Sequence, residues 1–389
     1  MFSDHLTARR RHYIARAVLC VAVSTLGLGL LASDKTTLIP IDVPGSGTNA
    51  GQGTTAVAIT NAGVVAGYFV DGAYVGHGFL RASDGLVTTF DAPGAGTQAV
   101  PGCLYAAPTG VPVAQGTYAG SINPAGAITG FYVDSTCLAH GFLRAANGAI
   151  TTIDVPGAGT ALSQGTQSLN INPAGTISGL FTDANGVIHT FLRAANGAIT
   201  TIDVPGAGTG PGQGTMTGFP CLSPTDAITG TYVDANYVLH GYVWAPAHGF
   251  TTFDAPGAGT GPGQGTWSWS INPAGTVAAY YVDSDNGIHG YMRTARGAYT
   301  AIEAPSPAVI TIPESVDIAG AVIGNYLDAN FVNHGFVRAT DGGYTTFDAP
   351  AAGTGGGQGT VPIASNPGGV VVGFYFDANS VIHGFVRIH

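Results

Sequence analysis

Residues 121–154 read SINPAGAITGFYVDSTCLAHGFLRAANGAITTID. Two turn signals, Asn-Pro-Ala-Gly at 123–126 and Ala-Asn-Gly at 146–148, separate short stretches of period-two alternation. That is the pattern of antiparallel strands joined by tight turns. Inside it, five residues separate Asp134 from His140, and Asp154 follows His140 by fourteen positions.

The same frame recurs with unchanged spacing along the chain. The Asp/His pairs are Asp71/His77, Asp134/His140, Asp183/His189, Asp234/His240, Asp283/His289, Asp328/His334 and Asp377/His383. The acids that follow are Asp91, Asp154, Asp203, Asp254, Glu303 and Asp348. The seventh His would need its acid beyond His389, where the sequence stops. An acid of the right kind, Asp42 in Thr37-Leu-Ile-Pro-Ile-Asp-Val-Pro44, stands near the other end. A linear array has no reason to begin with the piece that its end lacks; a closed ring does. An open solenoid would instead call for capping segments at both ends.

A full module reads Gln-Gly-Thr, a small-residue stretch, Asn-Pro-Ala-Gly, a strand ending Tyr-x-Asp, a turn, His-Gly-Phe-x-Arg, a second turn, and Thr-Thr-Phe/Ile-Asp-x-Pro. A period near fifty fits a four-stranded blade. In the second module the spacing predicts strands A to D at 117–122, 127–134, 139–144 and 149–154. It also predicts cross-strand rows Asp134-His140-Asp154 and Tyr132-Phe142-Thr152 on one sheet face. The distance from each following acid to the next module's Asp varies as 29, 43, 29, 31, 29, 25 and 29. Variation therefore sits in the D-to-A connection, as loops permit. Strand A, as in Thr55-Ala-Val-Ala58, suits a crowded inner position, and strand D an outer one.

Only 9% of the residues are charged. From Asp34 onward there are 21 acids and 8 bases, a net charge of −13, and 14 of those acids occupy the recurring positions. The absence of a basic patch argues against nucleic acid and anionic membrane as partners. The N-terminus carries Arg9, Arg10, Arg11 and Arg16 before an apolar run from Ala17 to Ala32. That pattern predicts a cleaved export signal over 1–33, with Arg10-Arg11 resembling a twin-arginine signal, and no membrane insertion after cleavage. The expected location is the cell surface or outside the cell, with the periplasm as the other option. Export permits disulfides. Cys103 and Cys137 fall in one module, so they are the candidate pair, set against three buried free thiols.

His between two carboxylates would suit a metal site or an acid–base relay. Yet identical copies point to a scaffold device, because an active site is built from residues that break symmetry. Asp-x-Asn/Asp in the B–C turns, as at Asp183/Asn185 and Asp234/Asn236, offers oxygens to Ca2+. The spacing of an EF-hand loop is absent, and Asx turns explain the pattern. No other cofactor is implied. Symmetry breaks at Trp267 and Trp269 in the fifth strand A, at Trp244, at Tyr105 in the long insertion, and at Glu303 and Glu314 in the sixth module. Exposed aromatics at Trp267, Trp269 and Tyr105 would stack on sugar rings; packing between blades is the other reading of the tryptophan pair.

The set Ile-Asn-Pro-Ala-Gly-x-Ile-x-Gly-x-Tyr-x-Asp followed by His-Gly-Phe-Leu-Arg resembles the bacterial HAF-type probable extracellular repeat. Gly replaces the family's Ala at Gly78, Gly141, Gly241, Gly290, Gly335 and Gly384, and Thr190 does so in the third copy. The resemblance implies export and a propeller-like fold, and it carries over no catalytic residue.

The expectation is an all-β chain: a seven-bladed β-propeller over 34–389 with four-stranded antiparallel blades, the N-terminal strand completing the last. The expected role is a monomeric, non-catalytic binding or structural module whose partner is an extracellular protein or a glycan. Two alternatives remain open. One is a multivalent carbohydrate-binding propeller. The other is a polysaccharide hydrolase or lyase with its site at the ring's mouth, near Trp267, Glu314 and the 101–113 insertion.

Overall fold

A computed structural model describes residues 37–100, 103, 105–106 and 112–388. The export-signal reading of 1–33 lies outside the described residues. Thr36–His389 forms one compact unit. Every element among the described residues is a β-strand.

The second module shows how the strands arise. Its strands are Gly116–Ile122, Ile128–Val133, Ala139–Arg144 and Ile150–Ile153, each paired antiparallel with the next. These bounds agree with the expected ones to within a residue or two. The A–B turn is set by Asn123, whose side-chain oxygen accepts the Ala127 N–H. The same four-stranded meander recurs from Gly53–Ile59 through Val87–Phe90 and in each later module. In the fifth, strand A is split into Gly265–Thr266 and Ser270–Ile271. Burial falls from strand A, enclosed along almost its whole length, to strand D, whose central residues are exposed.

The last module has only three strands of its own, Gly359–Ser365, Val371–Phe376 and Ile382–Ile388. Its fourth is Thr37–Ile41, which runs antiparallel to Ile382–Ile388 with Ile39 opposite Val386 and Ile41 opposite Gly384. The first and last modules also meet directly, with Gly53 beside Ile382 and the Asn366 amide donating to the Thr60 carbonyl at 3.2 Å. The chain's two ends are thus joined by backbone pairing, which covers what would otherwise be an open sheet edge.

Neighbouring modules are fastened by one repeated device. The Thr at the start of each strand A, preceded by Gly in six modules and by Ile310 in the sixth, is buried, and its hydroxyl accepts the N–H that follows the preceding module's strand-D acid. The links are Val43–Thr54, Ala92–Thr117, Val155–Thr166, Val204–Thr215, Ala255–Thr266, Ala304–Thr311 and Ala349–Thr360, at 2.8–3.1 Å. The glycine before the Thr is needed for close approach: Gly165 has φ +103°, and a Cβ there would collide with the Ala139 carbonyl of the preceding module. Apolar contacts span the same seam. Ile153 and Val155 of the second module pack in one cluster with Ile171, Ile177 and Phe191 of the third. The motif arginine also reaches backwards, Arg144 lying over the Phe90 ring at 4.8 Å and Arg387 over Phe347 at 4.6 Å.

The B–C register differs from the expected one. Tyr132, not Asp134, lies opposite His140, and Phe142 lies opposite Gly130. The C–D register is as expected, with Phe142 opposite Thr152. The cause is the turn. Asp134 and Leu138 close it, and Cys137 takes a left-handed conformation at φ +63°, so the loop is two residues shorter than assumed. A slip of two keeps every side chain on its face.

Replacing Thr117 by Val keeps the shape but leaves the buried Ala92 N–H without an acceptor. The expected loss is about 1–3 kcal/mol of stability, read from urea unfolding, because an unpaired buried donor keeps its desolvation cost. Thr166→Val, at the next seam, is expected to cost a similar amount.

Candidate functional site

The recurring acids and histidines converge in six of the seven modules, in a geometry that the turn creates. In the second, Asp134 opens the B–C turn and its Oδ1 accepts the N–H groups of Thr136 and Leu138 at 2.8 and 2.9 Å. Asp71, Asp183, Asp234, Asp283, Asp328 and Asp377 hold their turns in the same way. One carboxylate oxygen of each is therefore spent on backbone. Among the described residues, no group of three or more His, Cys, Asp or Glu is placed to hold a metal ion.

The imidazole lies between that turn and strand D. His140 Nδ1 is 2.7 Å from Asp154 Oδ1, and a carboxylate only accepts, so Nδ1 carries a proton. Nε2 points towards Asp134 Oδ2 at 3.5 Å. The ring stacks on Tyr132 with centroids 4.9 Å apart. His77, His189, His240, His334 and His383 repeat the bond to Asp91, Asp203, Asp254, Asp348 and Asp42 at 2.7–3.0 Å. Stacking on Phe69, Phe181, Tyr232, Tyr326 and Tyr375 goes with it. The pair His383–Asp42 joins the chain's ends. The fifth module departs from this: His289 stacks on Tyr281 and turns to Asp283, Nε2–Oδ2 2.9 Å. Glu303 is longer by a methylene than the aspartates at its equivalent positions, and no hydrogen bond joins it to His289 among the described residues.

These contacts set the charges. The hydrogen bond to Asp154 outweighs burial and raises the His140 pKa, and Asp91 does the same for His77. Burial alone would raise Asp134, but the N–H groups of Leu138 and Thr136 and the Thr136 hydroxyl hold its carboxyl below the ordinary value. The site binds its own turn and strand ends, and its polar atoms face one another rather than a substrate.

The centre of the sheet is different. Most A strands carry a bulge in which the third residue after the Thr drops out of register. Bulges re-aim side chains. The residues so placed are Val57, Gly120, Leu169, Glu314 and Ile363, and Val57, Leu169 and Ile363 join one buried apolar cluster with Phe219. In the fifth module the strand is broken over Trp267–Trp269, with Trp267 N–H bonded to the Tyr280 carbonyl at 3.0 Å. Trp269 lies against Gly218 of the fourth module, where a Cβ would come within 3.4 Å of its ring. Its indole N–H donates to Glu314 Oε2 of the sixth at 3.0 Å. The expected strand A is thus interrupted at Trp267 and Trp269, and Trp269 bridges three modules. Tyr105 lies in the short strand Tyr105–Ala106 of the insertion, which pairs with Pro112–Val113. Cys103 is disulfide-bonded to Cys137, and Cys221 is a buried free thiol.

A second feature escaped sequence reading. The left-handed position of the B–C turn is held by Tyr74, Tyr237 and Phe331 in the first, fourth and sixth modules, with φ 61°, 63° and 61°. These rings are 43%, 46% and 54% exposed. Bulky residues are rarely held in this conformation.

No family model and no curated protein matches the sequence. Solved structures do match in shape. Virginiamycin B lyase from Staphylococcus aureus, in a catalytically inactive form with quinupristin, is similar over 91% of this chain and 100% of that chain, at 14% identity and a TM-score of 0.53. The BP39L lectin from Burkholderia pseudomallei is similar over 86% of this chain and 99% of that chain, at 12% identity and a TM-score of 0.50. The fold is propeller-like. At these identities the likeness extends to the fold alone.

The charges above predict the pH profile. His77 and His140 have raised folded pKa values, so their contribution is complete below the ordinary 6.5 and is lost as pH rises through the folded values. The turn aspartates are depressed, so theirs is present above 3.8 and is lost as pH falls through the folded values. The urea midpoint is therefore expected to peak between those two limits and to decline towards the alkaline side. His140→Gln should flatten that decline; a wild-type midpoint that climbs instead would contradict the assignment.

Proposed function

We propose that the chain is an exported seven-bladed propeller that works as a non-catalytic binding module, at the cell surface or outside the cell. The module count in the sequence and the repeated threonine seam support seven blades. The HAF-type resemblance and the basic, apolar N-terminus support export. The absence of catalysis is argued from the His–Asp contacts, which hold turns in every module and strand ends in six of the seven.

The observation that carries the binding reading is the set Tyr74, Tyr237 and Phe331. Each is a large ring kept in solvent by a backbone conformation that disfavours it, at the same turn of different modules. Such outliers persist where the surroundings over-determine them, and they cluster at ligand contacts. The hydroxyls of Tyr74 and Tyr237 donate to the Ala50 and Pro211 carbonyls, which fixes the rings against the D–A loops. Flat, immobilised aromatic faces repeated around one rim suit ligands with repeated apolar faces, above all the sugar rings of a glycan. The lectin-like reading is the form of the function that this rim favours, and the −13 net charge of the chain from Asp34 onward sets neutral or basic glycans ahead of acidic ones.

A glycan array probed with the protein from residue 34 onward is expected to give multivalent signals. Phe331→Asn separates binding from folding. Asn tolerates the left-handed region, so stability should hold or rise by about 1 kcal/mol, while array signal falls. Turnover of a polysaccharide panel, abolished by a change in a single module, would replace this reading with the hydrolase or lyase one.

A further inference from the structure

The rim does not use the most asymmetric part of the molecule, the inner strands of the fourth to sixth modules. There Trp267, Trp269 and Tyr280 form a mutually touching group, with centroids 6.1 Å (Trp267–Trp269), 5.7 Å (Trp267–Tyr280) and 6.5 Å (Trp269–Tyr280) apart. Trp267, Trp269, Tyr280 and Glu314 are each half-buried. The group is held firmly: the Tyr291 hydroxyl donates to the Trp267 carbonyl at 2.6 Å, and the Ser268 N–H donates to the Thr231 hydroxyl at 2.9 Å.

Glu314 is out of character with its position. The equivalent bulge residues Val57, Leu169 and Ile363 are buried aliphatics. Among the described residues no salt bridge reaches it. Among those residues, the one side chain that gives it a hydrogen bond is the Trp269 indole. Dense surroundings push its carboxyl up to about 7, with only that indole opposing the shift. A carboxyl placed among apolar groups with no cation of its own is costly to ionise. Aromatic faces beside it attract positive charge by their quadrupoles, most strongly where water is reduced.

We propose that Trp267, Trp269, Tyr280 and Glu314 form a binding site for an organic cation of the ammonium type. The cation supplies the charge that Glu314 lacks, and the three rings receive its alkyl substituents. Binding then favours ionised Glu314, so near neutral pH a proton leaves the protein as the ligand enters. The site deepens the binding-module reading and rests on it, as a second locus distinct from the rim.

The test uses choline as the cation and 3,3-dimethylbutan-1-ol as its uncharged counterpart, followed by tryptophan fluorescence and by calorimetry in two buffers of different ionisation enthalpy. Choline is expected to give a saturable fluorescence change, with the alcohol weaker by about tenfold or more. The buffer comparison should report proton release near the Glu314 pKa of about 7. Glu314→Gln keeps an acceptor for the Trp269 N–H, so the melting profile should persist while choline affinity falls by about tenfold. Trp267→Ala should weaken choline as well. Equal binding of the alcohol, no saturation by about 10 mM choline, unchanged affinity in Glu314→Gln, or occupation by a neutral sugar instead would each overturn the proposal. Glycan-array signal from the rim is independent of all four results, so failure here and failure of the binding-module reading are distinguishable.

Discussion

The structure depends on a backbone N–H that has no partner in its own module. Strand D ends at its acid, and the next residue's N–H projects into the seam, where water is excluded. A buried donor left unpaired costs about 1–3 kcal/mol, and the seam recurs around the sheet. The Thr of the following Gly-Thr answers it, from a hydroxyl that is fully buried in Thr54, Thr117, Thr166, Thr215, Thr266 and Thr360. A module is therefore unfinished until its successor docks. Closure is demanded by the same logic: the Val43 N–H at one end of the chain meets Thr54 in the first module only because strand Thr37–Ile41 has been lent to the last.

Other repeated residues serve that seam. Gly53, Gly116, Gly165, Gly214, Gly265 and Gly359 let the inner strand touch the preceding module's carbonyls. Asn123, Asn172, Asn272 and Asn366 pass an amide hydrogen to the next module's turn. The His–Asp pairs act at the opposite edge, tying strand C to strand D. Composition follows from these tasks. With close approach between modules doing the fastening, the chain is rich in Gly and Thr and poor in charge.

Much of this was legible in the sequence, for a definite reason. Invariant spacing reports on paired strands, so the Asp42–His383 bond between distant ends could be anticipated from a missing acid alone. What spacing does not report is how a turn spends its residues. Spacing alone aligns Asp134 with His140, whereas Cys137 adopts a left-handed conformation and shortens the loop, placing Tyr132 against the imidazole. The slip was even, so the face assignment survived it. Spacing gives Glu303 as one of the recurring acids, yet His289 bonds to Asp283 instead. Trp269 and Glu314 stood out as irregular residues, but their meeting across modules depends on bulges. A bulge leaves no mark in a pattern of period two, because it is the point where that period fails.

Regularity and irregularity carry different information in such a protein. A contact repeated in every module must serve something that every module needs, and folding is the one need they share. Function has to be sought where a copy differs while its scaffold stays intact. The fifth inner strand meets that condition: it leaves the regular ladder over Trp267–Trp269, keeping the Trp267 N–H bond to the Tyr280 carbonyl, yet its outer strands keep the register of their counterparts. The sixth meets it by placing an acid at the bulge position where Val57, Leu169 and Ile363 are buried aliphatics. Both departures cost stability locally, one in backbone pairing and the other in desolvation, and among the described residues no salt bridge compensates the acid. Two adjoining departures that face each other, joined by the bond from Trp269 to Glu314, are more readily understood as one site than as two separate losses.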